Sequence, residues 1–230
     1  MKNRYDLGDE ILRRLREKLR WDVSEFVALS VGEELRDPFA VLIATIISQN
    51  TNERNTLRAF QMLKEKVGIA PEKLANVPVD VIAEAIRISG MYRTKSRAIK
   101  AAAQVILNQL GGKGYYMRQL GIKEIYSLLL PIQGVGKKTV DVLLANLGKP
   151  VLPVDTHIRR IARRMGLAHT DDYDGIRGEL ESIFRPEVRL KAHLYLIKLG
   201  REICRARVPI CKRCPLNDIC EEGKRRLRDA

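Results

Sequence analysis

The chain has 230 residues, room for one large domain or two small ones with a shared core, and 45% of them are hydrophobic, close to an ordinary globular protein. Lys and Arg outnumber Asp and Glu 42 to 28, and a net charge of +14 favours a polyanionic partner, nucleic acid being the commonest; a generally basic protein is the plainer alternative. The charged opening Met1–Asp6 shows no signal peptide, and the longest apolar stretch, Phe39–Ile47, is too short to span a bilayer, so an intracellular protein without a membrane segment is expected.

Helical periodicity runs through almost the whole chain. Ile11, Leu12, Leu15 and Leu19 recur at helix spacing and predict an amphipathic N-terminal helix. Asp37-Pro38 reads as N-cap and first residue of an apolar helix that ends near Ser48. Helices follow over about 52–66 and over 79–89, the second stopped by Gly90. An Ala-rich helix over 94–110 ends at Gly111-Gly112. Further helices are predicted over 123–129, 137–147, 156–165, 174–184 and 186–200. No stretch sustains period-two alternation, and there is no repeat or low-complexity segment, so the expected class is all-α.

Between two of these helices lies Leu130-Pro131-Ile132-Gln133-Gly134-Val135-Gly136-Lys137-Lys138-Thr139. Gly134 and Gly136 permit positive φ and close approach of another backbone, Val135 can plug the turn into the core, and the helix that follows opens with N–H donors suited to phosphate. Such a hairpin grips a DNA backbone without reading sequence; by itself it is also an ordinary tight interhelical turn. Lys138 falls in the first turn of that helix, where the helix dipole and Lys137 both favour the neutral, nucleophilic amine. Taken alone it reads as a phosphate-binding lysine. Asp155 precedes a helix start and reads as an N-cap, a role compatible with catalysis; the chain between 138 and 155 is long enough to bring it back beside the hairpin.

All four cysteines, Cys204, Cys211, Cys214 and Cys220, fall in the last 27 residues with the spacing C-x6-C-x2-C-x5-C. In a reducing compartment such a group reads as metal ligands, and sulfur-only ligation points to zinc or to an iron–sulfur cluster. The close pair alone suits zinc, whereas the outer spacings are less typical of zinc ribbons. Residues 201–230 carry nine Lys/Arg against five Asp/Glu, with Arg205, Arg207 and Lys212 around the first two cysteines, so the loop is basic enough to grip phosphate.

Gly134 to Thr139, followed by Val154-Asp155-Thr156-His157, resembles the helix-hairpin-helix, Gly/Pro-rich, Asp-containing family of DNA glycosylases. The cysteine spacing is similar to that of the family's endonuclease III branch, and the likeness runs from about residue 30 to Cys220. The resemblance implies a mainly structural [4Fe–4S] cluster on the four cysteines. It implies that Lys138 attacks C1′ of a damaged nucleotide, expels the base and permits β-elimination, while Asp155 stabilises the positive charge developing on the sugar and assists proton transfer. His157 has the weaker claim, as a structural or phosphate-facing residue.

A base must also leave the stack. In Ser48-Gln49-Asn50-Thr51-Asn52, a polar loop in which Thr51 or Asn52 caps the next helix, the resemblance assigns Gln49 to the duplex. In Gly90-Met91-Tyr92-Arg93-Thr94-Lys95 it assigns the apolar wedge to Met91, with Tyr92 and Lys95 beside the DNA; ordinary loop packing is the plain alternative for Met91. Gly134, Val135, Gly136, Lys137 and Thr139, with Arg205, Arg207 and Lys212, complete the implied DNA contacts. Two positions depart from the family pattern: Gln133 stands where proline is common, and Asn52 where endonuclease III carries aspartate, which bears on the shape of the base pocket.

The implied architecture is two helical domains flanking a positively charged cleft: a six-helix barrel over 25–145 containing the hairpin, and a cluster domain made of 1–24 and 146–230. The implied activity is a bifunctional glycosylase and abasic-site lyase acting as a monomer on oxidised pyrimidines in duplex DNA. The alternatives are a glycosylase for uracil or thymine opposite guanine, a non-catalytic hairpin module that only binds DNA, and a zinc-stabilised RNA-binding protein.

Overall fold

The structure is a computed structural model and describes residues 4–228. It contains thirteen α-helices, five short 3-10 turns and, among the described residues, no strand. The chain divides into two compact units, Asp22–Lys149, and Met1–Trp21 together with Pro150–Ala230.

The first unit is built around α3 (Pro38–Ile47), whose ten residues are all buried. A helix apolar on every side has to be surrounded. Here α2 (Val27–Leu35), α4 (Glu53–Lys66), α7 (Tyr92–Leu110) and α9 (Lys137–Asn146) pack around it. Asp37 caps α3 by accepting from the Phe39 amide at 3.0 Å, and Pro38 occupies its first turn. Asn52 caps α4 in the same way through the Asn55 amide at 2.8 Å. Small residues on α7, Ala98, Ala102 and Ala103, are buried and admit α5 (Pro71–Asn76) and α6 (Val79–Ala85) at close range. The remaining helix of this unit, α8 (Ile122–Leu129), leads into the hairpin.

The second unit rests on α12 (Arg189–Glu202), which packs against α1 (Arg4–Lys18) and α10 (Thr156–Met165). The predicted apolar stripe of α1 is buried at Ile11, Leu12 and Leu15. The helix α11 (Tyr173–Glu181) and the C-terminal α13 (Glu221–Arg228) both pack on α10.

Three helices lie where none was predicted. The helix α2 has no side-chain cap and carries Gly32 inside it, and α5 has only six residues. The helix α13 buries only Gly223, so it shows no apolar stripe; acidic Glu221 and Glu222 at its start and basic residues at its end support it instead, with Glu222 bonded to Arg225 and Arg226. The single helix expected over 79–89 is α6 followed by a 3-10 turn, Arg87–Ser89. That over 186–200 begins with a 3-10 turn, Pro186–Val188.

Candidate functional site

The hairpin joins α8 to α9. Ile132 and Val135 are buried and anchor it, while the Val135 amide donates to the Ile132 carbonyl at 2.9 Å and closes the turn. Gly134 has φ +91°, a conformation a side chain adopts only under strain, and a Cβ there would stand 3.2 Å from that of Ala98. Gly136 is the N-cap of α9 and brings no capping side chain, which leaves the helix start accessible to an anion. Gly134, Gly136 and Lys137 are exposed, and Lys138, the second residue of α9, is half-buried. Val135 is buried, as its expected role as a core plug requires, and Thr139, placed with it among the implied DNA contacts, is buried too; both support the hairpin from beneath. Gln133, in the position where proline was expected, is exposed.

The polar loop after α3 is bonded to this hairpin. Gln49 Nε2 donates to the Gly134 carbonyl at 2.9 Å and to Thr139 Oγ1 at 3.1 Å. Next to it, Asn50 has φ +52° and donates through Nδ2 to Met91 Sδ at 3.4 Å. Met91, the N-cap of α7, has φ +48° and is 54% exposed. Tyr92 is half-buried, with the Arg93 guanidinium 5.7 Å from its ring centre. Lys95 corrects the expectation of a DNA contact. It is 2% exposed, and its ammonium donates inward to the carbonyls of Ile47 at 2.7 Å and Ser89 at 2.8 Å. Burial pushes it down to about 8 from an ordinary lysine value.

In the second unit, the extended segment leading to Asp155 is held by side chains at nearly every residue. Arg189 donates to the Pro150 carbonyl, the Leu152 amide donates to Glu181 Oε1 at 2.9 Å, His193 Nδ1 lies 2.8 Å from the Pro153 carbonyl, and the Val154 amide reaches the Tyr173 hydroxyl at 3.4 Å. Asp155 is half-buried and caps α10, Oδ1 accepting from the Ile158 amide at 2.8 Å. Its other oxygen takes no hydrogen bond among the described residues, so the cap leaves carboxylate capacity unspent. His157 Nδ1 is 3.0 Å from Arg160 Nη2, an inward contact that favours its structural role.

The four cysteines are half-buried free thiols, and all four line one small pocket with Ile203, Pro209 and Ile210. Among the described residues no three His, Cys, Asp or Glu side chains gather as one metal ion would require. Ligation by four cysteine sulfurs suits zinc or an iron–sulfur cluster. Burial pushes the Cys214 thiol up to about 11 and raises Cys220, so thiolates there need a cationic centre. Two arginines of α10 fix the surrounding backbone. Arg160 donates to the carbonyls of Gly200 and Cys204, and Arg164 donates to those of Arg205 and Ala206 and lies 3.4 Å from Cys204 Sγ. Arg205, Arg207 and Lys212 are exposed on the loop. Sequence reasoning did not single out Arg160 or Arg164; both lie on a basic helix face that reads as solvated.

Residues 43–186 match the model of the HhH-GPD superfamily base excision DNA repair proteins. The chain belongs to this superfamily. Endonuclease III of Sulfolobus acidocaldarius is 35% identical over 219 residues, which are 94% of this chain and 96% of that protein. Endonuclease III of Thermotoga maritima is 32% identical over 83% of this chain and 85% of its own length. Among solved structures, a non-covalent endonuclease III–DNA complex superimposes with a TM-score of 0.77 at 29% identity, covering 98% of this chain and 96% of that one. A trapped endonuclease III–DNA covalent intermediate gives 0.73 at 28% identity over 88% of this chain and 96% of that one. This HhH-GPD protein is a base-excision-repair DNA glycosylase/lyase. No helix among its described residues is long and apolar enough to cross a membrane.

Proposed function

We propose that the enzyme excises oxidised pyrimidines from duplex DNA and then cuts the strand at the resulting abasic site. Lys138 Nζ attacks C1′ of the damaged nucleotide; the N–C1′ bond forms as the glycosidic bond breaks, and the base leaves with the bonding pair and takes up a proton. The amine then loses a proton and its lone pair opens the sugar ring: the C1′–O4′ bond breaks, O4′ takes up a proton, and a protonated imine to C1′ remains. Removal of a C2′ proton then breaks the C3′–O bond by β-elimination, with the 3′ phosphate as leaving group. The Asp155 carboxylate stabilises positive charge on the sugar and shuttles protons between these steps. The backbone of Gly134 and Gly136, with Lys137, holds phosphate, Gln49, Met91 and Tyr92 meet the opened duplex, and Arg205, Arg207 and Lys212 grip the backbone elsewhere.

Cys204, Cys211, Cys214 and Cys220 would hold a [4Fe–4S] cluster, which supplies the fixed shape of the basic loop. The protein acts as an intracellular monomer on double-stranded DNA containing damaged bases or abasic sites. What supports this reading most is a lysine two residues behind Gly136 at the start of α9, in a chain of this family. The test is borohydride trapping on a panel of lesion duplexes, including uracil and thymine opposite guanine, with wild type and Lys138→Gln. A covalent adduct with wild type only, strongest on oxidised pyrimidines, is expected. Trapping that survives in the variant would sink the assignment of Lys138. Inactivity of wild type on every lesion would favour a module that only binds.

A further inference from the structure

Lys95 is a buried ammonium that neither the glycosylase step nor the lyase step uses, and its position in the fold is unusual. It lies in the first turn of α7, where the helix dipole repels a cation, and it is almost fully out of water. A charge held against both effects needs strong acceptors. Its two are the carbonyl of Ile47, the last residue of α3, and the carbonyl of Ser89, the last residue of the 3-10 turn before Gly90. Helix ends leave such carbonyls without helical partners, and an ammonium, with three donors, can bond two of them from one stem.

Each of those carbonyls opens a loop. Ile47 precedes Ser48–Asn52, and Ser89 precedes Gly90-Met91. The tips of both loops, Asn50 and Met91, carry positive φ on side-chain-bearing residues, and they touch through Asn50 Nδ2 and Met91 Sδ. Strained conformations of this kind persist where the surroundings over-determine them. Lys95 supplies such a constraint by tying together the roots of both loops.

We propose that Lys95 is a positioning residue that locks the 48–52 and 89–91 loops into one rigid tip, fixing the offset at which Met91 and Gln49 enter the duplex. The proposal rests on the reading of these loops as duplex-facing. It assigns Lys95 to base extrusion and leaves the chemistry at C1′ unaffected once a sugar is free to reach Lys138.

Lys95→Met keeps the length and removes the two bonds. On the lesion duplex that traps best with wild type, its single-turnover excision should fall by about tenfold or more, while incision of a preformed abasic site in single-stranded DNA stays within about threefold of wild type. In a double-mutant cycle with Met91→Ala the losses should be strongly non-additive, because both act through the same tip. Equal loss on both substrates, or additive losses, overturns the proposal. If Lys95→Met gives no soluble protein, Lys95→Leu takes its place, and failure of both to fold makes Lys95 a core-forming residue and overturns it as well. A wild-type enzyme that excises no lesion while still cutting abasic sites would instead count against the glycosylase reading itself.

Discussion

In the proposed mechanism Asp155 carries two tasks on one carboxylate, and the two can be separated. Its Oδ1 caps α10 through the Ile158 amide, and asparagine caps as well as aspartate. Asp155→Asn should therefore keep its thermal midpoint close to wild type while excision slows by about 10²–10⁴-fold, the usual range for losing one acid–base group. Circular-dichroism melting beside single-turnover excision checks both halves, and a matched loss of stability would reduce Asp155 to a cap. Lys95 makes a second prediction at this scale. Its folded value is about 8, below the ordinary 10.5 expected in the unfolded chain. Between those values the unfolded chain binds the extra proton, so the contribution of this group to stability is fully present above 10.5 and is lost as pH falls through 8. Denaturant midpoints of wild type relative to Lys95→Met should therefore rise from pH 7.5 to pH 10; a flat difference would contradict the shift.

At the scale of elements, the second unit shows how a cysteine loop with little regular structure is held. The loop between Cys204 and Cys214 has only one 3-10 turn, Cys211–Arg213, so its carbonyls need partners from elsewhere. The helix α10 provides them through Arg160 and Arg164. Arg160→Met removes donors to the carbonyls of Gly200 and Cys204 and should cost about 1–3 kcal/mol of stability. The same variant should retain less iron and less visible colour after purification. Full iron content with an unchanged melt would show that the loop holds its own shape. The hairpin is fixed by similar means, since Gln49 reaches it from the end of α3 and Val135 anchors it in the core. Part of this was legible beforehand. Asp37-Pro38 announced the start of α3, and Thr51-Asn52 that of α4, where Asn52 proved to be the cap, because capping is decided within a few residues. The helix α13 was not legible, because its stabilisation comes from ion pairs and its contact with α10, and it has no apolar stripe to betray it.

For the whole molecule, the net charge of +14 is the relevant quantity. Affinity for undamaged duplex should fall steeply with salt, with a slope of about −0.9 per neutralised phosphate in a plot of log K against log salt. Replacing Arg205 and Arg207, both exposed on the cysteine loop, by alanine should flatten that slope by up to about 2 units and leave the trapping yield on an abasic duplex at low salt nearly unchanged. Fluorescence anisotropy across a salt series measures it, and an unaltered slope would remove these arginines from the DNA contact. Shape follows less directly from composition. Each unit has its own buried centre, α3 in one and α12 with α10 in the other, and the chain passes between them near Trp21 and Lys149.

By itself the sequence determined the helical class, the hairpin between α8 and α9, the caps at Asp37 and Asp155, a cap at Thr51 or Asn52, and the cysteine spacing, since each is written in residues a few positions apart. Only the tertiary structure decided which of the marked residues face outward. Lys95 looks like a surface lysine until Ile47, 48 residues earlier, meets its ammonium, and Gln49 looks unattached until Gly134, 85 residues later, accepts from it. Thr139 turned inward for the same reason. A side chain's exposure depends on what distant segments pack over it, and local spacing does not carry that information.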